Sequence, residues 1–230
     1  MDIADEKDKI NFRRLLLAKQ LYKHAYEHSY QGGPLNKMIA VHNFHNAIEI
    51  ALRAILLHYD IRREKQLNIE FEVMLNEIDN YDDFVTKKQR LPYRRELRTL
   101  NQLRNLVQHQ AVEPETSTME DWRVFTHRFL QRICEEYFRL DFSSLSSLEM
   151  IEDVDLRELL RLALSSIHIG KFGKSVALAK LAFARASESF FSFLPEQNLR
   201  VGADPYTREL GKIFQHLEQR SQEAMILSGL

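Results

Sequence analysis

Cysteine is almost absent from this chain: Cys134 stands alone. A single thiol cannot close an intrachain disulfide or build a cysteine-ligated metal cluster. Glycine and proline are scarce, seven and five among 230 residues. No glycine-rich phosphate loop, zinc ribbon or Ser/His/Asp signature can be read. Apolar runs stay short. Pieces such as LLLA and AILL fall far below the roughly 20 residues that a membrane-spanning helix needs. The opening MDIADEKDKI is charged and lacks the apolar centre of a signal peptide, so a cytoplasmic protein without membrane contact is expected. An excess of either charge is missing too, the formal net charge being −1. A protein that grips long nucleic acid without regard to sequence is usually basic. Any such role must therefore rest on a local patch.

What is present is helical material. Hydrophobic residues make up 44% of the chain, enough for a core in one or two domains. The few glycines and prolines sit where helices should break. Gly32-Gly33-Pro34 separates helices at about 8–30 and 36–59, and a weaker one follows at about 65–80. Pro92 opens another, which runs to about 112 before Pro114. Ser117 with Glu120 reads as a capping box, starting a helix to about 140. FSSLSS then reads as a turn or linker. Asp153 or Asp155 caps a helix ending at Gly170, and the next covers about 173–194. Asp204-Pro205 opens the last one. No alternating strand pattern occurs, so the fold class is all-α. The expected organisation is a helical bundle of four to five helices over 1–142 and a helical extension over 143–230. MIAVHNFHNAIEIALRAIL and ALAKLAFARASESFFSFL echo one another, each carrying Ala-x-Glu. The extension is thus either a degenerate second helical-bundle repeat or simply helices with similar packing demands.

One basic patch exists. KKQRLPYRRELR sets Lys87, Lys88, Arg90, Arg94, Arg95 and Arg98 against the single acid Glu96. It reads either as a solvated face with compensating ion pairs or as a seat for a polyanion. It leads into NQLRNLVQHQAV, which contains Arg104, Asn105 and His109 in the pattern R-N-x-x-x-H. On a helical projection Leu100, Leu103, Val107 and Ala111 form an apolar stripe, flanked by Leu97 and Leu106. Arg98, Gln102, Asn105 and His109 form a polar stripe. Arg104 and His109 point about 140° apart. One straight helix does not bring both onto one small group unless the Arg104 side chain wraps around or a second copy of the helix faces the first. An isologous dimer, the commonest closed oligomer, supplies such a copy.

Arg104-Asn105-Leu106-Val107-Gln108-His109, on a helix with a basic approach, resembles the signature of the HEPN family of small all-α domains. HNAIEIALRAILLHY, with its Ala-x-Glu and leucine-rich face, is similar to an earlier helix of that family. The resemblance covers roughly residues 10–141. It implies a metal-independent endoribonuclease, in a toxin or anti-phage defence setting, with no cofactor. His109 is then the general acid or base, Arg104 the group that steadies the phosphate, and Asn105 an orienting hydrogen-bond partner. Arg94, Arg95, Arg98, Gln102, Gln108 and Glu49 are the expected substrate contacts. The implied partners are RNA, a second copy completing a composite site, and an antitoxin or defence-system protein. The other reading is a catalytically inactive HEPN-like scaffold that binds RNA, nucleotide or a partner protein.

Other patterns compete. His24-Ala25-Tyr26-Glu27-His28 fits H-x-x-E-H, an inverted zinc-peptidase motif, with His42, His45 or Glu49 as a further ligand. The pattern is short, and such peptidases need a larger scaffold, so no metal is expected at the active centre. Glu49 can instead pair with Arg104 or Arg53. Arg123 and His127 have the wrong spacing for the signature. Trp122, Phe125, Phe129 and Tyr137 can stack bases, but at helical spacing they read first as core.

Overall fold

A computed structural model describes residues 6–193 of the chain. Among the described residues the structure is helical throughout, with no strand. The helices are α1 (Glu6–Tyr30), α2 (Pro34–His58), α3 (Phe71–Asp79), α4 (Asp82–Thr86), α5 (Arg94–Gln110), α6 (Thr116–Phe138), α7 (Val154–His168) and α8 (Phe172–Phe193). Short 3-10 turns occupy Glu64–Gln66 and Ser147–Met150. None of the described helices is long and apolar enough to cross a membrane. The chain divides into two compact units, 1–150 and 151–230.

In the first unit α2 is the central element. α1, α3, α5 and α6 all pack on it. Its sequence explains why: Val41, Phe44, Ile48, Leu52, Ile55 and Leu56 are buried, with alanines 40, 47, 51 and 54 between them. A helix that is apolar on most sides must be enclosed. The turn into it needs left-handed backbone, which Gly32 (φ 68°) and Gly33 (φ 77°) supply. Pro34 then starts the helix, where its missing N–H costs nothing.

Several local expectations change in detail. The weak segment at 65–80 resolves into a 3-10 turn and α3, with α4 following. α5 begins at Arg94 rather than at Pro92, because Tyr93 adopts φ 59° immediately before it. It ends at Gln110, where Ala111 turns left-handed at φ 51° and donates its N–H to Leu106 O. That turn carries Ala111 off the apolar stripe into solvent. Leu106 is 39% exposed, so it is not a core flank. Leu97, Leu100 and Val107 carry the buried face. The capping box at Ser117 does not form. Glu115 is the N-cap of α6, without a side-chain cap, and Ser117 Oγ donates to Glu115 Oε2 at 3.4 Å. Of the two readings of FSSLSS the turn holds, over 142–144, and it is anchored: Phe142 and Leu145 are buried, and Lys19 Nζ donates to Ser143 O and Leu145 O, both at 2.7 Å.

The second unit is described through α7 and α8, which pack against each other. Asp153 caps α7, its Oδ1 accepting from Asp155 N (2.9 Å) and Leu156 N (3.0 Å). Arg185 of α8 pairs with Asp153 and Asp155 at 3.1 and 2.7 Å. Gly170 closes α7 at φ 73°. The expected final helix from Asp204 lies outside the described residues, as do the side chains of Phe190, Phe191 and Phe193.

Candidate functional site

α5 lies along α2, and the contact between them is polar at one level. α2 presents His42, His45, Glu49 and Arg53, spaced as one stripe on an otherwise apolar helix. α5 answers with Asn101 and Arg104. His45 is 2% exposed, and its Nε2–H donates to Asn101 Oδ1 at 2.9 Å. Its Nδ1 faces Glu49 Oε2 at 3.5 Å, too far for a hydrogen bond. Burial pushes the His45 imidazole down to about 4, the nearby Arg104 charge adding to this while Glu49 opposes it. His45 is therefore neutral near pH 7. His42 shifts down for the same leading reason, burial, with Arg104 again contributing. Glu49 takes Arg53 as its partner, Nη2 to Oε1 at 2.5 Å.

Arg104 is left in an uncommon position for a half-buried arginine. Its Nη1 donates to Asn105 Oδ1 at 3.0 Å. Its Nε is buried and meets no acceptor among the described residues. No carboxylate among the described residues pairs with it, whereas Arg14, Arg53, Arg62, Arg94 and Arg98 each have one. The bond to Asn105 joins sequence neighbours, and the Arg104 charge also lies near enough to His42 and His45 of α2 to add to burial in holding both imidazoles down. His109 stands one turn beyond Asn105, exposed, with no partner among the described residues.

The surrounding cations are unequal. Arg94 clamps α5 to α3: it pairs with Asp79, donates to Asn76 Oδ1, and donates to Leu75 O at 2.9 Å. Asp79 Oδ1 also accepts from Leu91 N at 2.9 Å. Arg98 meets Glu72 at 3.2 Å. Arg95, Lys87 and Lys88 are exposed, as are Gln102 and Gln108. The basic patch thus splits into Arg94, half-buried and bound to α3, and a remainder open to solvent, of which Arg98 pairs with Glu72 at the surface.

The competing residues fall elsewhere. His24 and His28 bond to each other, Nε2 to Nε2 at 3.1 Å, and neither joins His42, His45 or Glu49. No group of three or more metal-ligating side chains occurs among the described residues. Glu27 of that motif approaches Lys23 at 3.9 Å. Arg123 lies over the Tyr30 ring at 4.0 Å and donates to Ser29 Oγ at 3.2 Å. His127 packs between Tyr22 and Phe142. Phe129 and Tyr137 are buried, and Trp122 and Phe125 are partly buried against the core, as their helical spacing leads one to expect.

His42, His45, Glu49 and Arg53 stand out in the sequence, though not as one cluster with Asn101. Their signal is the spacing 42, 45, 49 and 53, polar residues recurring along one edge of a core helix. Asn101 carried no separate signal. The chain matches no family model, no curated protein and no solved structure.

Proposed function

We propose that the chain is a metal-independent endoribonuclease of HEPN-like type, with Arg104 and His109 as its catalytic residues. The observation that carries this reading is the half-buried Arg104 guanidinium, which has no carboxylate partner among the described residues and stands on the same helix as the exposed His109. A structural arginine in such a place is ordinarily neutralised. An arginine kept ready for a phosphate is not, and its planar fork matches phosphate oxygens.

The chemistry follows from the groups. An imidazole takes the proton of a ribose 2′-hydroxyl as its oxygen bonds to the adjacent phosphorus. Arg104 bears the negative charge that grows on the phosphate oxygens. The bond to the 5′-oxygen breaks, and that oxygen leaves with a proton from water, to which the imidazolium in turn gives up its own. The products are a 2′,3′-cyclic phosphate and a 5′-hydroxyl. Arg104 and His109 point about 140° apart on α5, so Arg104 of one copy meets His109 of another when two copies of the helix face each other around a two-fold axis. The solvent-facing Leu106 and Val112, 39% and 40% exposed beside His109, support a contact there. Asn105 orients Arg104. Arg95, Lys87 and Lys88 guide the RNA, while Arg94 and Arg98 hold the helix in place.

The test uses single-stranded RNA and tRNA in EDTA. Wild-type protein cleaves both and leaves DNA intact. His109→Ala and Arg104→Ala each lose about 10²-fold or more in rate with unchanged circular dichroism. If no form cuts RNA yet all bind it, the scaffold reading replaces this one.

A further inference from the structure

The paired histidines near the end of α1 have no role in the reaction above. Their hydrogen bonds can be followed one donor at a time. Asn36 Nδ2 donates to Gly32 O at 2.8 Å, so Asn36 offers its Oδ1 to His28. His28 Nδ1–H donates to that oxygen at 2.9 Å. His28 Nε2 is then a bare lone pair, and His24 Nε2–H donates to it at 3.1 Å. His24 Nδ1 is left as an acceptor, and Asn43 Nδ2 donates to it at 2.9 Å. The two imidazoles are thus in opposite tautomers, joined by one shared proton. Both rings reach solvent, His24 exposed and His28 half-buried.

We infer that this pair is a two-histidine site for a borderline divalent transition metal ion such as Zn²⁺. Two ligand nitrogens about 2.0–2.1 Å from one ion stand about 3.3–3.4 Å apart in a tetrahedral bite and about 2.8–3.0 Å apart in a right-angled one. The separation of 3.1 Å lies between these limits. The ion takes the place of the shared proton, which leaves to solvent. Both Nε2 lone pairs must then point at the metal, so His24 moves its own proton to Nδ1. Asn43 turns its amide to accept it with Oδ1. In the loaded site both imidazoles donate Nδ1–H to asparagine oxygens, the outer-shell arrangement that fixes metal-binding histidines.

The protein supplies two ligands, and water fills the remaining positions. None of His24, His28, Asn36 and Asn43 bonds Arg104 or His109, and the ion takes no part in RNA cleavage. Its structural effect is to tie His24 and His28 of α1 to Asn36 and Asn43 of α2 across the glycine turn.

Tag-free full-length protein is titrated with Zn²⁺ by calorimetry, and the imidazoles are followed by long-range ¹H–¹⁵N correlation spectra. One ion per chain is expected. His24 is expected to change from the Nε2–H to the Nδ1–H tautomer on saturation, with His28 remaining Nδ1–H. His24→Ala and His28→Ala abolish the saturable binding. Asn36→Ala and Asn43→Ala weaken it by about 10–100-fold. The inference is overturned if Zn²⁺ fails to bind, if it binds equally to both histidine variants, or if the His24 and His28 signals do not respond in the wild type. The spectra decide the matter even where a variant folds poorly.

Discussion

Two residues of the α2–α5 contact carry opposite kinds of incompleteness. His45 is a base that burial keeps neutral, with one nitrogen bonded and the other bare. Arg104 is a permanent cation without a described counter-charge. The first has a consequence for stability. The folded-state value for His45 is about 4 against an ordinary 6.5, so the unfolded chain binds more protons between these limits. Stability therefore rises with pH across that window and falls on acidification, by up to roughly 3 kcal/mol once pH is below the folded value. Urea unfolding at pH 7 and pH 5 measures this. Wild type is expected to be less stable at pH 5, and His45→Gln to lose part of that difference. An unchanged difference in the variant removes His45 as its source. Arg104 and His109 stand out in the sequence through the resemblance of R-N-x-x-x-H to a family signature, not through the helical pattern alone. That Arg104 lacks a carboxylate was not legible, since Glu49 lies equally within reach of Arg53 on its own helix and only packing decides between them.

Among the elements, α5 shows where periodicity succeeds and where it stops. Leu97, Leu100 and Val107 are buried as their spacing demands. Ala111 is not, because the helix ends there in a left-handed residue that no glycine announces, and Leu106, about 100° round from Val107, faces solvent. Tyr93 at its start is hidden for the same reason. α6 carries a sequence that fits a capping box, yet it starts earlier and leaves Ser117 in the first turn. Asp153 does cap α7. Asp153→Ala should cost the second unit about 1 kcal/mol, seen as a lower midpoint in thermal unfolding. The basic patch makes a sharper distinction. Arg94→Ala strands Asp79 and unfastens α5 from α3, at roughly 1–3 kcal/mol. It should lower the thermal midpoint while RNA binding at low temperature persists. Arg95→Ala should do the reverse, weakening RNA binding and its salt dependence with stability intact. The opposite pattern would make Arg94 the substrate contact.

For the whole molecule, all-α architecture and a break between two helical units follow from the scarcity of glycine and proline and the regular apolar spacing. The boundary falls at 150/151 because Phe142 and Leu145 bury themselves in the first unit and Lys19 fastens their backbone. A serine-rich stretch does not reveal that its two apolar residues are anchors. The site itself belongs to the first unit and is half of a whole on this account. Mixing experiments address that directly. His109→Ala and Arg104→Ala proteins, each inactive alone, are unfolded together, refolded as a mixture and assayed on RNA in EDTA. If Arg104 of one copy serves His109 of the other, random pairing makes half the dimers mixed, each with one intact site of two. Activity should then return to about a quarter of the wild-type level. A mixture as inactive as either variant alone, alongside an active wild type, would contradict a site shared in this way between two copies.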